Sequence, residues 1–201
     1  YHKPPFIIVE NVPEFCKWVL YPAWKLSMEA LGYAISPHVI DAADYGVPQN
    51  RRRLFIICTR TKAPLILFLE NKRQRTAETI IDKESDKWTL IEAEGRSENT
   101  LERIKNGRKK HGNRFLIAYY GAEHGGRSLS RPIGTITTKD RYALVENDRM
   151  RMLSVNEYRK GMSFPGNYIL PKQHSLALKM LGNAVPPLMA EAVLVGLLKT
   201  A

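Results

Sequence analysis

The stretch "FIIVENV", Phe6 to Val12, opens as an unbroken apolar run rich in β-branched side chains and ends on a carboxylate and an amide. That pattern predicts a strand buried on both faces of a parallel sheet. A charge at the tip of such a strand is costly unless something pairs with it or uses it. In open α/β sheets ligands bind at strand ends, which makes Glu10 the first candidate functional residue.

Working outward, Phe15, Val19, Leu20, Trp24, Met28 and Leu31 recur at mostly helical spacing. They predict a helix between Glu14 and Gly32, bent or interrupted near Pro22 and closed at Gly32. Ala34 to Ala42 reads as a strand, Asp44 to Arg52 as a loop, and Leu54 to Cys58 as a second buried strand. The order β, α, β, β is that of an α/β domain with a mixed sheet.

After Arg60 the texture changes. Residues 62–112 carry "ENKRQRT", "IDKESDKW" and "KNGRKKHGNR" with few apolar residues between them, so an insertion or small lobe without a large core is expected. Short β-like runs return at Phe115–Tyr120, Thr135–Thr138 and Tyr142–Val145, predicting a small sheet with basic loops. A capped helix is expected from Ser154 or Val155, ended by Phe164-Pro165-Gly166, and a strongly apolar one from near Pro186 and Pro187. These changes divide the chain into 1–61, 62–148, 149–173 and 174–201.

Among 201 residues, 31 Lys and Arg face 20 Asp and Glu, a formal charge of +11. The surplus favours a polyanionic partner, nucleic acid first; a merely soluble basic surface is the alternative that charge alone leaves open. Cys16 and Cys58 indicate neither a disulfide framework nor a metal site, and suit a reducing compartment. No uninterrupted apolar run approaches the ~18 residues of a membrane span, and no basic-then-apolar leader precedes Phe6. A cytoplasmic protein is expected, with no membrane partner.

The loop "QNRRR" places Gln49, Asn50 and three arginines before the second buried strand. In extended backbone Arg51 and Arg53 share a face and Arg52 points the other way. A carboxyl that shares a proton can bind a ring nitrogen, and a guanidinium can hold a carbonyl oxygen or a phosphate. On these residues alone a structural ion pair with Glu10 is the competing explanation.

The order of motifs adds to this. "FIIVENV", "DAADYGVPQNRRRLFIIC", "RPIGTIT", "RMLSVNEYRKGMSFPGNY" and "LGNAVPP" resemble, in sequence, the second half of a cytosine-C5 DNA methyltransferase. The resemblance implies part of a Rossmann-like, S-adenosylmethionine-dependent α/β domain with a small, mostly β target-recognition domain over 62–148. Its implied substrate is double-stranded DNA with a flipped-out cytosine. It further implies that Glu10 hydrogen-bonds the cytosine N3 and amino group, and that Arg51 and Arg53 contact the cytosine O2, the catalytic thiol and a nearby phosphate. Asn183 and Val185 match the motif beside the cofactor, and Asn11 would brace the turn after Glu10. Arg127, Lys139 and Arg141 are candidates for groove contacts, and Arg151 and Glu157 for orienting the lobe. In Lys160-Gly161-Met162 the chain departs from the family's usual Arg-Leu-Gln, which removes the basis for a contact at Lys160.

The family's Gly-rich cofactor loop and its Pro-Cys nucleophile do not occur in this sequence. Cys16 falls in a predicted helix and Cys58 in a buried strand, neither the setting of a reactive thiolate. The chain alone is therefore expected to be inactive and to need an N-terminal half or subunit carrying both loops, in a bacterial or phage-like setting such as restriction–modification. A noncatalytic DNA-binding or regulatory protein with the methyltransferase fold is the alternative.

Overall fold

The structure, a computed structural model, describes residues 2–61, 63–84, 87–120 and 124–200. The central strand of its first sheet is β3 (Arg52–Thr59), with β1 (Phe6–Asn11) on one side and β2 (Ala34–Asp41) on the other, both antiparallel to it. Alternation along β3 sends Leu54, Ile56 and Cys58 to one face and Phe55 and Ile57 to the other. Helix α1 (Tyr21–Ala30) covers the first face with Tyr21, Trp24 and Met28. Helix α5 (Pro187–Thr200) covers the second with Met189, Val193 and Leu197, joined by Leu65, Leu67 and Leu69.

Two expectations change here. β1 is half-buried and antiparallel to β3, where the sequence predicts a strand buried on both faces of a parallel sheet. Both of its faces do carry apolar contacts, Ile7 and Val9 on one and Ile8 on the other. It lies at an edge of the sheet, however, so one flank of each side chain stays open. The predicted helix from Glu14 becomes a short 3-10 turn, Pro13–Lys17, followed by α1. Pro22 sits in the first turn of α1, where its missing N–H costs no hydrogen bond. Gly32, at φ +86°, closes the connection to β2 as expected.

A second sheet, antiparallel throughout, runs β4 (Thr89–Leu90), β7 (Arg149–Met152), β6 (Tyr142–Glu146), β5 (Arg114–Ala118). Phe115, Ile117, Ala143 and Val145 face α2 (Glu98–His111) through Ile104. Leu116, Ala118, Tyr142 and Leu144 face α3 (Val155–Gly161) and α4 (His174–Asn183) through Tyr158, Leu178 and Leu181. Gly107 permits the approach of α2, since a Cβ there would lie 2.1 Å from the Phe115 ring. The sequence predicts a polar, thinly cored 62–112, yet Ala77, Ile80, Ile91 and Ile104 all enter these two cores. β7 lies in "RMRM", whose exposed and buried residues mix Met with Arg and hide the strand pattern.

Helix α3 starts as predicted. The Ser154 hydroxyl accepts from the Glu157 N–H and the Glu157 carboxylate accepts from the Ser154 N–H, a reciprocal capping box. The same Glu157, fully buried, takes both guanidinium nitrogens of Arg151 at 2.6 and 2.7 Å and ties β7 to α3. The 26-residue stretch His174–Lys199 is long and apolar enough on average to cross a bilayer. It is broken at Ala184–Pro186 into α4 and α5, which bury their faces in separate cores, as the core helices of a folded domain do.

Candidate active site and nucleic-acid interface

Glu10, next to last in β1, lies opposite Phe55 of β3, and its Oε1 lies 3.1 Å from the Nε of Arg53. The pair is partly open, with side-chain exposures of 28% for Glu10 and 16% for Arg53. Arg53 also donates to the Arg52 carbonyl at 2.8 Å, which fixes its guanidinium. The Asn11 side-chain oxygen accepts from the Val12 N–H at 2.8 Å and braces the turn after Glu10. Beside the pair opens a cleft of about 410 Å³ lined by Val12, Pro13, Asp41, Asn50, Arg53 and Thr135 among others. A polar cleft of this size suits one planar, hydrogen-bonding ring.

The loop before β3 is held from both ends. Asp41 accepts from the N–H groups of Ala43 and Arg51 at 3.1 and 2.8 Å. Gly46, at φ +80°, turns the chain into Val47–Asn50. Residues 133–136 then dock along the loop through Asn50 N–H to Ile133 C=O, Ile133 N–H to Pro48 C=O, and Ile136 N–H to the Gln49 side chain. Thr135–Thr138 is therefore no strand of the second sheet, contrary to expectation: the Ile136 N–H and carbonyl bond the side chains of Gln49 and Arg51, and the Thr135 carbonyl accepts from the Tyr120 hydroxyl. Gln49, fully buried, also donates to the Gly161 carbonyl at 3.2 Å.

The structure places Arg51 behind this loop. It is 2% exposed and donates to the carbonyls of Ile136, Gly182 and Ala184 at 2.9, 2.7 and 3.1 Å. Burial, and then the neighbouring Arg53, pull its pKa down to about 10 against the opposing pull of Glu10, which leaves it a cation at neutral pH. Two segments distant in sequence, at residues 136 and 182–184, converge on this one side chain. Gly182 makes the junction possible, since a Cβ there would lie 2.4 Å from the main-chain carbon of Thr137. The sequence offered no sign of this use for Arg51 or of the buried contacts of Gln49 and Gly182, because their partners lie up to 133 residues away; Asp41 was missed although its partners, Ala43 and Arg51, are close in the chain.

Asn183 is exposed at the end of α4, on a cleft of about 200 Å³ that Phe164, Tyr168, Leu170 and Met180 also line. Ligand pockets for whole drug-sized molecules run ~300–1,000 Å³, so this aromatic- and amide-lined cleft is too small to enclose such a molecule whole. Val185 packs at the margin of the core beneath α5. Arg127 lies half-buried against Gly134 and the Tyr142 hydroxyl. Lys139 is exposed, and Arg141 donates to the Tyr119 carbonyl at 3.1 Å, both on the loop before β6. The structure thus brings Glu10 and Arg53 together, joins Arg51 to the backbone on either side of Asn183, and sets Arg127, Lys139 and Arg141 on other loops. Cys58 is buried, which pushes its thiol up, and Cys16 packs in the cluster of Phe15, Tyr21 and Trp24.

The three-stranded sheet between helices, with the second antiparallel sheet beside it, superposes on solved methyltransferases and shares their Rossmann-like, S-adenosylmethionine-dependent α/β fold. Dnmt2 of S. pombe superposes with a TM-score of 0.64 at 14% identity, over 98% of this chain and 67% of that one. A putative DNA modification methyltransferase of an E. coli prophage gives 0.65 at 17%, over 98% and 70%. Residues 1–199 match the model of the C-5 cytosine-specific DNA methylase family, and the chain belongs to that family. Among its relatives, Type II methyltransferase M.DsaV of Dactylococcopsis salina is 28% identical over 208 residues, 96% of this chain and 56% of that protein. M.HhaI of Haemophilus parahaemolyticus is 28% identical over 200 residues, 91% of this chain and 60% of that protein. The chain spans a little over half the length of these curated relatives.

Proposed function

We propose that this chain supplies the target-recognition lobe and part of the cytosine pocket of a DNA cytosine-5 methyltransferase. The supporting observation is the Glu10–Arg53 pair, partly open, whose Arg53 lines the adjoining polar cleft. A cytosine entering that cleft would meet Glu10 at N3 and the amino group. A proton held at N3 lets the ring accept charge as a thiolate adds at C6, chemistry for which C6 alone is too weak an electrophile. Arg53 would hold the carbonyl oxygen or the flanking phosphate while keeping Glu10 in place. Arg51 would act as a positioning residue, fixing the loop that carries Asn50 and Arg53 against the Thr135 segment.

S-adenosylmethionine would supply the methyl group, with Asn183 at its amino-acid end and Val185 packed behind. Residues 1–61 and the returning helices 174–201 would form the catalytic side, 62–148 the recognition lobe with Arg127, Lys139 and Arg141 toward DNA, and 149–173 the hinge. Neither cysteine has the exposed, electropositive setting of a nucleophile. A second polypeptide segment would bring the Pro-Cys and glycine loops. The test is transfer of labelled methyl groups to duplex DNA by the purified chain, with and without a polypeptide carrying those loops. Activity only in the mixture is expected; transfer by the chain alone would overturn the reading.

A further inference from the structure

A second groove, of about 490 Å³, starts where the cytosine cleft ends. Asn50 lines both, and the second is completed by His111, Arg127, Ser128, Ser130 and Arg131 with the backbone of Gly126 and Pro132. Its lining contains cations, hydroxyls and amides, and none of these residues carries a carboxylate. The Ser128 and Ser130 hydroxyls stand 2.7 Å apart, two rotatable donors on one short turn.

His111 is the last residue of α2, whose final turn reads Arg108, Lys109, Lys110, His111. Lys110 lies across the Gly125–Gly126 turn, with its Nζ 2.4 Å from the position a Gly125 Cβ would take. Cations in a last helical turn complement the helix dipole wherever they point. That accounts for charge near the terminal carbonyls; it does not account for a lysine laid over the glycine turn that leads into Arg127.

We propose that this groove, together with Lys110, seats backbone phosphates of the DNA strand next to the base held at Glu10 and Arg53. The inference rests on the function proposed above and adds to it a second anchoring site, built from Lys110, Ser128, Ser130 and Arg131. Phosphate contacts fix register without reading sequence. A track running from the base pocket to the end of α2 would set the strand's direction across the cleft.

The salt dependence of duplex binding tests this directly. Each phosphate neutralised contributes about −0.9 to the slope of log K against log salt concentration. Fluorescence anisotropy of the chain with a short labelled duplex should give a Lys110→Ala/Arg131→Ala slope shallower than the parent's by about 1.8, two such contacts. Lys25→Ala, on α1 and paired with Glu29, should leave the slope unchanged. Parent binding with identical slopes in the double variant would overturn the inference and leave the proposed function standing. An absence of duplex binding by the parent would overturn both. A site for a small free anion would show itself as inorganic phosphate raising the melting temperature of the parent but not of the variant, with the DNA slope unmoved, and that too would overturn the inference.

Discussion

Replacing Arg51 by methionine removes a side chain that ties the loop before β3 to the Ile136 segment and to the end of α4. Its three hydrogen bonds join a cation to the carbonyls of Ile136, Gly182 and Ala184, a class worth ~1.5–3 kcal/mol each. One guanidinium makes all three, so they do not add, and relief from burying a charge offsets part of the loss, as the pKa lowered by burial shows. The carbonyls of Ile136, Gly182 and Ala184 would each lose the Arg51 donor. A net loss of about 3–4 kcal/mol is expected, or a melting temperature lower by roughly 10 °C for a chain of this size. Thermal and urea unfolding followed by circular dichroism would measure it. Arg51→Lys should recover only part of the loss, because an ammonium cannot span three carbonyls as a planar fork does. An Arg51→Met protein melting within ~2 °C of the parent would refute the reasoning and return Arg51 to the pocket.

Gly182→Ala should cost about 1–3 kcal/mol or loosen the junction, because the added methyl would meet main-chain atoms of Thr137 and Thr138 at 2.4 to 2.5 Å; an unchanged urea midpoint would contradict this. Asp82 supplies the pH dependence. Burial works to raise its carboxyl, but the hydrogen bonds from Lys160 and Asn156 and the charges of Lys160 and Arg151 outweigh it and hold the group below its ordinary 3.8. The unfolded chain then binds the proton more readily, so the stabilisation is complete above 3.8 and is lost as pH falls below it. The stability difference between parent and Asp82→Asn should shrink on acidification through that range, and a difference constant from neutral to strongly acid pH would refute the assignment.

How much of this could be read from the residues depends on where each residue's partners lie. The apolar run of β3 was legible because burial on both faces leaves a continuous hydrophobic signature. The run of β1 has the same signature, and nothing within it tells an antiparallel edge from a parallel interior. The start of α3 was legible because Ser154 and Glu157 cap each other across three residues. Arg51, Arg52 and Arg53 are indistinguishable as letters. Only the fold decides that the first is enclosed by carbonyls from residues 136, 182 and 184, while the third meets Glu10. Thr135–Thr138 looked like a strand because β-branched residues suit extended backbone in general, and its docking on the Gln49 loop is set by contacts more than 80 residues away.

The central claim is that Glu10 handles a proton for a base held beside it. Glu10→Gln keeps the size and hydrogen-bonding reach of the side chain and removes the acid. In an enzyme reconstituted with the Pro-Cys and glycine loops, single-turnover methyl transfer should fall by a factor on the order of 10², while duplex binding measured on the same preparation stays at the parent level. Arg53→Ala, which also removes the partner of Glu10, should lower both. If Glu10→Gln transfers methyl groups at the parent rate while binding DNA normally, the Glu10–Arg53 pair is a structural ion pair and the proposed pocket is wrong.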